Sequence, residues 1–240
     1  MQKIRPEIPE IMAAAPGLAA DLAIELAEIA NINREFLRLL ASPAVAENHS
    51  LLGLDGGVLG ALRSLSPAQL DRIAAAPQLL AEFSPLPGAG QTGASGASTP
   101  RQLAQERGAV ADAGGSAYQN SQWEQQVQGF AQRLLVCLWQ SARHSKRITS
   151  LNAGLTPESL AFLAAQSFTV VSRHCAEAGF CLRARFALHP RFWPDLIRSV
   201  RIGNSEQQAA SRLSLLPLSI SQAGLKKNHH QQLPGLRYRR

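Results

Sequence analysis

The feature that most constrains this chain is a gapless internal repeat, in which residues 53–83 align with residues 154–184 at a constant offset of 101. Identical residues recur along both copies: Gly53 and Gly154, Leu54 and Leu155, Leu59 and Leu160, Leu62 and Leu163, Ser66 and Ser167, and Arg72 and Arg173. Self-similarity of this length predicts two related modules. Two copies are too few for a solenoid, so we expect a two-lobed body or an intramolecular pseudo-dimer. A chance likeness between two Leu/Ala-rich helical stretches is the alternative.

The composition favours helices. The chain has 240 residues, of which 45% are hydrophobic and only 5% aromatic, so Leu, Ala, Ile and Val must supply most of the core. This palette predicts an all-α fold. No apolar run reaches the roughly 20 residues that span a bilayer, and the first residues lack the apolar core of a secretory signal. The cysteines, Cys137, Cys175 and Cys181, lie among apolar residues, which is typical of buried thiols in a reducing compartment. We therefore expect a cytoplasmic protein without membrane contact.

Shifts in composition divide the chain into segments. A Pro-punctuated N-terminal arm covers residues 1–17, and a first helical module covers residues 18–83. Residues 84–120 predict a flexible linker, because they begin with a Gly/Ser/Pro-rich run that has little to bury and much backbone entropy to lose. A second helical module covers residues 121–220, and a basic tail covers residues 221–240. We expect the modules to pair, either within one chain or between two chains as a homodimer.

Sequence signals mark the starts and ends of helices in the first module. An apolar stripe at spacings of three and four predicts a helix from about Leu18 to Leu40. Asp55 is expected to cap a short helix, and Ser66 begins a capping box with Pro67 at the first helical position. The helix that follows is expected to stop before Pro77.

The second module carries comparable signals. A capping box at Ser121 predicts the start of its long helix, and Thr156 and Ser167 predict two further helix starts. Gly179 is expected to end the last of these helices in the left-handed conformation. Residues 180–186 partly alternate between apolar and polar, which indicates an extended segment.

The C-terminal part of the second module has no counterpart after the first. Pro194 predicts the start of a helix that reaches Ile202, and a last helix is expected at residues 205–215. A short helix is also expected within the linker, at residues 103–110. The two copies are therefore unequal.

Positive charge is concentrated toward the C-terminus. Residues 18–83 have a net charge of −4, and residues 121–202 have a net charge of +6. The last 44 residues have a net charge of +7, which equals the net charge of the whole chain. An acidic module can attract a basic one, and a basic flank can attract phosphates. The candidate phosphate contacts are Arg183, Arg185, Arg191, Arg198, Arg201, Lys226, Lys227, Arg237, Arg239 and Arg240. Arg183 and Arg185 would share one face of an extended segment. A solvated basic face is the alternative, and no recognition helix with base-reading side chains is evident.

The spacing of chemically reactive residues argues against an enzyme. The six histidines show neither an HExxH motif nor another short metal-ligand spacing. Cys175, Cys181 and His189 could supply at most three ligands. His174 and Cys175 are adjacent in sequence, but we do not expect them to act as a base and nucleophile pair, because adjacent helix residues point in different directions. We expect no catalytic residues, no cofactor and no metal site.

Both modules contain short sequence motifs that are typical of one protein family. The first module has Leu52-Gly53-Leu54-Asp55, Leu65-Ser66-Pro67-Ala68-Gln69-Leu70 and Leu79-Leu80-Ala81-Glu82-Phe83. The second has Ala131-Gln132-Arg133-Leu134-Leu135-Val136, Gly154-Leu155-Thr156 and Phe180-Cys181-Leu182-Arg183-Ala184-Arg185-Phe186. Over about 150 residues the modules resemble FlhD, the smaller subunit of the FlhD–FlhC activator of bacterial flagellar genes. The tandem copy, the Gly/Ser linker and the basic tail depart from the usual single-module form.

The resemblance implies an all-helical fold, self-pairing modules and a partner subunit of the FlhC type that does much of the DNA binding. The function it implies is that of a transcription-regulatory subunit acting on promoter DNA, in motility or in the transfer of mobile elements. The alternative function is that of a helical adaptor in a secretion or conjugation system, with no role on DNA.

Overall fold

The computed structural model describes residues 16–42, 52–84, 86 and 117–202. Within these residues the chain is mostly helical, as the composition predicts, and a single two-stranded sheet accompanies the helices. None of the described helices is long and apolar enough to cross a bilayer. The helices expected at residues 103–110 and 205–215 lie outside the described residues.

The secondary-structure elements repeat at the offset of the sequence repeat. The first set is α1 (Pro16–Ala41), α2 (Gly56–Arg63), α3 (Pro67–Ala74) and β1 (Ala81–Phe83). The second set is α4 (Ala117–His144), α5 (Lys146–Ala153), α6 (Pro157–Ala165), α7 (Phe168–Cys181), β2 (Leu182–Ala184) and α8 (Phe192–Ile202). The starts of α4, α6, α7 and β2 each lie 101 residues after the starts of α1, α2, α3 and β1.

Side-chain caps fix the starts of the short helices, and four of the predicted caps are confirmed. The Asp55 carboxylate accepts a hydrogen bond from the backbone of α2, and Thr156 and Ser167 cap α6 and α7 in the same way. The capping box of α3 is complete: Ser66 Oγ accepts from the Gln69 N–H at 3.3 Å, and Gln69 Oε1 accepts from the Ser66 N–H at 2.8 Å. Each such cap contributes about 1 kcal/mol to the stability of its helix.

Two predicted helix boundaries of the second module are wrong: the start of its long helix at Ser121 and the end of the helix capped by Ser167 at Gly179. Helix α4 begins at Ala117, so Ser121 lies inside the helix, and residues 117–120, which the composition assigns to the linker, are helical. Helix α7 continues through Gly179 to Cys181, and only Leu182–Ala184 of the expected extended segment forms a strand.

A glutamine from α4 accounts for the continuation of α7. The Gln128 side chain accepts a hydrogen bond from the Gly179 N–H at 3.1 Å and donates to the Cys175 carbonyl. It packs so closely that a Cβ at position 179 would overlap Gln128 Oε1. Gly179 therefore leaves room for the Gln128 side chain of α4 and does not form a left-handed helix end.

A buried asparagine ends the corresponding helix of the first module. Asn33 of α1 donates to the carbonyls of Ala74 at 3.2 Å and Gln78 at 2.9 Å, and its Oδ1 accepts from the Leu80 N–H at 2.8 Å. These bonds satisfy backbone groups that a helix would otherwise pair, and Pro77 prevents the helix from continuing. The predicted stop of α3 before Pro77 is confirmed.

One hydrophobic core contains residues from both sets of elements. Phe36 of α1 stacks on Phe130 of α4, with ring centroids 5.4 Å apart. Trp123 and Trp193 are buried in this core. Helix α8 packs against α2 and α3 of the first set, and its apolar face is buried through Phe192, Trp193, Leu196, Ile197 and Val200.

The two strands join the two sets of elements in an antiparallel ladder. Its residue pairs are Ala81 with Ala184, Glu82 with Arg183, and Phe83 with Leu182. Flanking bonds run from the Ser84 N–H to the Cys181 carbonyl and from the Arg185 N–H to the Leu80 carbonyl, both at 2.8 Å. The ladder is symmetric under the repeat offset of 101 residues, which replaces each residue of one copy by its counterpart in the other. This exchange turns the pair of Ala81 and Ala184 into the pair of Phe83 and Leu182, and it leaves the pair of Glu82 and Arg183 unchanged. It also turns each flanking bond into the other.

We expect Gly154→Ala to lower the free energy of unfolding by about 1–3 kcal/mol. Gly154 has a φ of +64°, and a Cβ there would lie 2.6 Å from Nη2 of Arg185. Gly56→Ala is the matched control, because no atom lies within 4 Å of its Cβ position and its backbone is ordinary helix. Urea unfolding followed by circular dichroism measures both variants. Equal stability of the two variants would contradict the expectation that a side chain at position 154 is disfavoured by the backbone and by Arg185.

Candidate nucleic-acid surface

Arg185, one of the candidate phosphate contacts, is fully buried. Its Nη1 donates to the Asn152 carbonyl at 2.5 Å and to the Leu79 carbonyl at 3.5 Å, and the guanidinium lies 4.7 Å from the centre of the Phe186 ring. Phe186 itself has a φ of +57°, a conformation that non-glycine residues rarely adopt. The assignment of Arg185 to an exposed basic face is therefore wrong, because this side chain is used inside the protein.

The environment of Arg185 is costly for a positive charge. Burial lowers the pKa of the guanidinium to about 10, and the nearby carboxylate of Glu82 opposes this shift. The residue also connects three elements, since its N–H bonds to Leu80 and its carbonyl accepts from Trp193 Nε1 at 3.0 Å. Arg185 thus holds β1, the end of α5 and the start of α8 together.

Arg183 is the neighbour of Arg185 in sequence but lies in a different environment. It is half-buried at the centre of β2, opposite Glu82 in the ladder, and its Nε donates to the Ser84 carbonyl at 3.4 Å. Arg183 and Arg185 therefore do not form the shared phosphate-binding face that the alternation in sequence predicts.

Three further candidates lie on or beside α8, and their side chains are exposed. Arg198 forms a salt bridge with Asp195 at 3.2 Å, one turn earlier on the same helix. Arg201 Nη2 donates to the Ala61 carbonyl at 3.1 Å and to the Ser64 hydroxyl, so this side chain ties α8 to α2. Arg191 precedes the helix and is exposed. We refer to Arg191, Arg198 and Arg201 as the α8 basic face.

The α8 basic face is held rigidly by the first module. Helix α8 buries its apolar side against α2 and α3, and Gln69 Nε2 donates to the Val200 carbonyl at 3.4 Å. The ring of His189 caps the helix start, with Nδ1 accepting from the Phe192 N–H at 3.1 Å. The remaining candidates, Lys226, Lys227, Arg237, Arg239 and Arg240, lie outside the described residues.

The thiols have no environment that would activate them. All three are buried, as predicted. Burial raises the pKa of Cys137 to about 12, and the carboxylate of Glu28 adds to this rise. Burial likewise raises the pKa of Cys175. Among the described residues no group of three or more His, Cys, Asp or Glu side chains is arranged to hold a metal ion.

Sequence reasoning did not identify the residues that support Arg185. Glu82 and Asn152 give no distinctive pattern, because one is a single acid in a short strand and the other a helix-end amide. The available signal was the repeat itself, since Ser84 occupies the position that corresponds to Arg185. A charged residue that is present in only one copy of a repeat indicates a role specific to that copy.

No protein-family model, no curated protein and no solved structure matches this chain. The likeness to FlhD rests on the phrases quoted above.

We expect Glu82→Gln to lower the free energy of unfolding by about 1–3 kcal/mol, because it removes the charge that compensates the buried Arg185 guanidinium. Glu124→Gln is the control, since Glu124 is an exposed acid on α4. Thermal and urea unfolding of both variants provide the test. A Glu82→Gln protein as stable as the Glu124→Gln protein would show that Arg185 needs no compensating charge.

Proposed function

We propose that this chain is an FlhD-like subunit of a transcription-regulatory complex, in which two helical modules pair within one chain as a pseudo-dimer. In this proposal the second module and the C-terminal basic residues contact promoter DNA together with a partner subunit of the FlhC type. The chain itself acts by binding and positioning and carries no catalytic site.

The register of the β1–β2 ladder is the observation that carries the proposal. A homodimer paired about a two-fold axis must have an isologous interface, in which each contact is matched by its exchanged copy. The ladder meets this requirement when each residue is exchanged with its counterpart 101 residues away, because Glu82 pairs with its own counterpart, Arg183. The pair of 2.8 Å bonds made by Ser84 and Arg185 obeys it as well. Two covalently joined copies that keep a dimer interface would have this register.

Differences between the copies favour pairing within one chain. Glu35 of α1 forms a salt bridge with Arg133 of α4, and the corresponding exchanged positions are Ile32 and Val136, which cannot form one. In sequence, nothing after the first module matches the residues of α8, and this helix packs against α2 and α3 of the first set. Joining the partners converts their association into an intramolecular step with a high effective concentration.

The α8 basic face supports contact with nucleic acid. Arg198 is exposed on a helix that packs against the body of the protein, and Arg191 is exposed just before this helix. The C-terminal part of the chain that follows is basic. Phosphate contacts of this kind give salt-dependent affinity with little sequence preference. Sequence readout is therefore assigned to the partner subunit.

We expect the double variant Arg191→Ala/Arg198→Ala to bind duplex DNA more weakly than the parent chain. Loss of two phosphate contacts reduces the slope of log K against log salt concentration by about 2. Asp195→Asn is the matched variant of opposite sign, since it releases Arg198 from its salt bridge and is expected to strengthen binding. Fluorescence anisotropy with a labelled duplex over a range of NaCl concentrations measures all three proteins, alone and with an FlhC-type subunit.

Unchanged affinity and salt slope in both variants, with and without the partner subunit, would contradict the DNA-binding part of the proposal. That result would favour the helical adaptor function, which needs the paired modules but no contact with phosphate.

A further inference from the structure

A groove of about 520 Å³ opens between α1, α4 and α7, on the side of the second module. Its apolar lining includes Ile32, Val136, Cys137, Cys175 and Phe168, and Glu28 lies at its edge. None of the residues that line this groove belongs to the α8 basic face.

The apolar surface at the groove is exposed to an unusual degree. Phe168 at the start of α7 is 60% exposed, and the centre of its ring lies 5.9 Å from that of Trp139. The corresponding residue of the first module is Pro67, which occupies the first position of α3. Ile24 of α1 is 67% exposed and lies on the same helical stripe as Glu28 and Ile32, at intervals of four residues. Large apolar side chains exposed around a groove are typical of interaction sites.

The α1 side of the groove is acidic, because Glu28 belongs to its lining and Glu25 lies one helical turn earlier. Neither Glu25 nor Glu28 forms a salt bridge with Lys or Arg within the described parts of the chain. The pKa of Glu25 is raised, by burial first and then by the neighbouring charge of Glu28, while His144 acts in the opposite direction. The lining contains one arginine, Arg133, and its charge is already paired with Glu35. A ligand that brings positive charge would therefore relieve repulsion between two carboxylates.

We propose that the groove between α1, α4 and α7 binds a cationic amphipathic segment of a partner protein. The apolar side chains of that segment pack on Phe168 and Ile32, and its Lys or Arg side chains lie beside Glu25 and Glu28. A second copy of this chain is a poor occupant, because a two-fold contact through the groove would bring four carboxylates together. The proposal does not depend on DNA binding.

The test uses the full chain and three synthetic 16-residue peptides carrying a fluorescent label. The first peptide has Leu at every third or fourth position and Lys elsewhere, and the second has the same composition with Leu spread around the helix. The third keeps the Leu stripe but replaces Lys with Glu. We expect the Leu/Lys stripe peptide to bind at least about tenfold more tightly than either of the others.

Two pairs of variants assign the binding to the groove. Phe168→Ser and Glu28→Lys are each expected to weaken binding of the stripe peptide about tenfold. Leu188→Ser and Glu124→Lys remove an exposed apolar side chain and reverse an exposed charge outside the groove, and they are expected to leave binding unchanged. Circular dichroism confirms that each variant is folded. Duplex DNA binding of Phe168→Ser and Glu28→Lys is measured in parallel and is expected to match the parent, which separates this proposal from the proposed function.

Three results would overturn the proposal. The first is equal affinity for all three peptides, and the second is binding that the two groove variants do not weaken. The third is binding that appears only after residues 203–240 are removed, because the chain's own basic segment would then be the occupant of the groove.

Discussion

The structure depends on the short antiparallel ladder between β1 and β2, which joins the two halves of the repeat beside a buried arginine. Three residue pairs are too few to be stable alone, so the ladder must be supported by the elements around it. Arg185 provides that support, because its backbone bonds to Leu80 and its guanidinium bonds to Asn152. The same residue accepts from Trp193, which fixes α8 across the first module. The backbone and the side chain of Arg185 thus connect the ladder to α5 and to the helix that carries the α8 basic face.

Much of the fold could be predicted because it is specified locally. The caps at Asp55 and Ser66 are set by side chains only three residues from their partners, and the apolar stripes of α1 and α4 follow helical spacing. The offset of the repeat predicted which elements correspond, since each corresponding pair begins 101 residues apart. Local rules of this kind can be applied without knowing the tertiary contacts.

The parts that could not be predicted are set by contacts distant in sequence. Gly179 resembles a helix end, but the side chain of Gln128 on another helix lets α7 continue past it. Arg185 resembles a surface cation, but its carbonyl partners come from residues that only the fold brings together. Helix α5 was not predicted, because Ser145 at its start forms no side-chain cap and few signals mark it. For the candidate surface, composition indicated the basic region, while only tertiary packing separates exposed from buried arginines.

Hydrogen exchange at the Ser84 amide tests the joining of the two modules most directly. Ser84 is exposed, so its N–H can be protected only by the bond to the Cys181 carbonyl of the other module. We expect the Ser84 and Arg185 amides to exchange as slowly as amides of the helical core, and to lose protection together in mild denaturant. Exchange of Ser84 at the rate of an unstructured amide, while α1 and α4 stay protected, would contradict the paired arrangement.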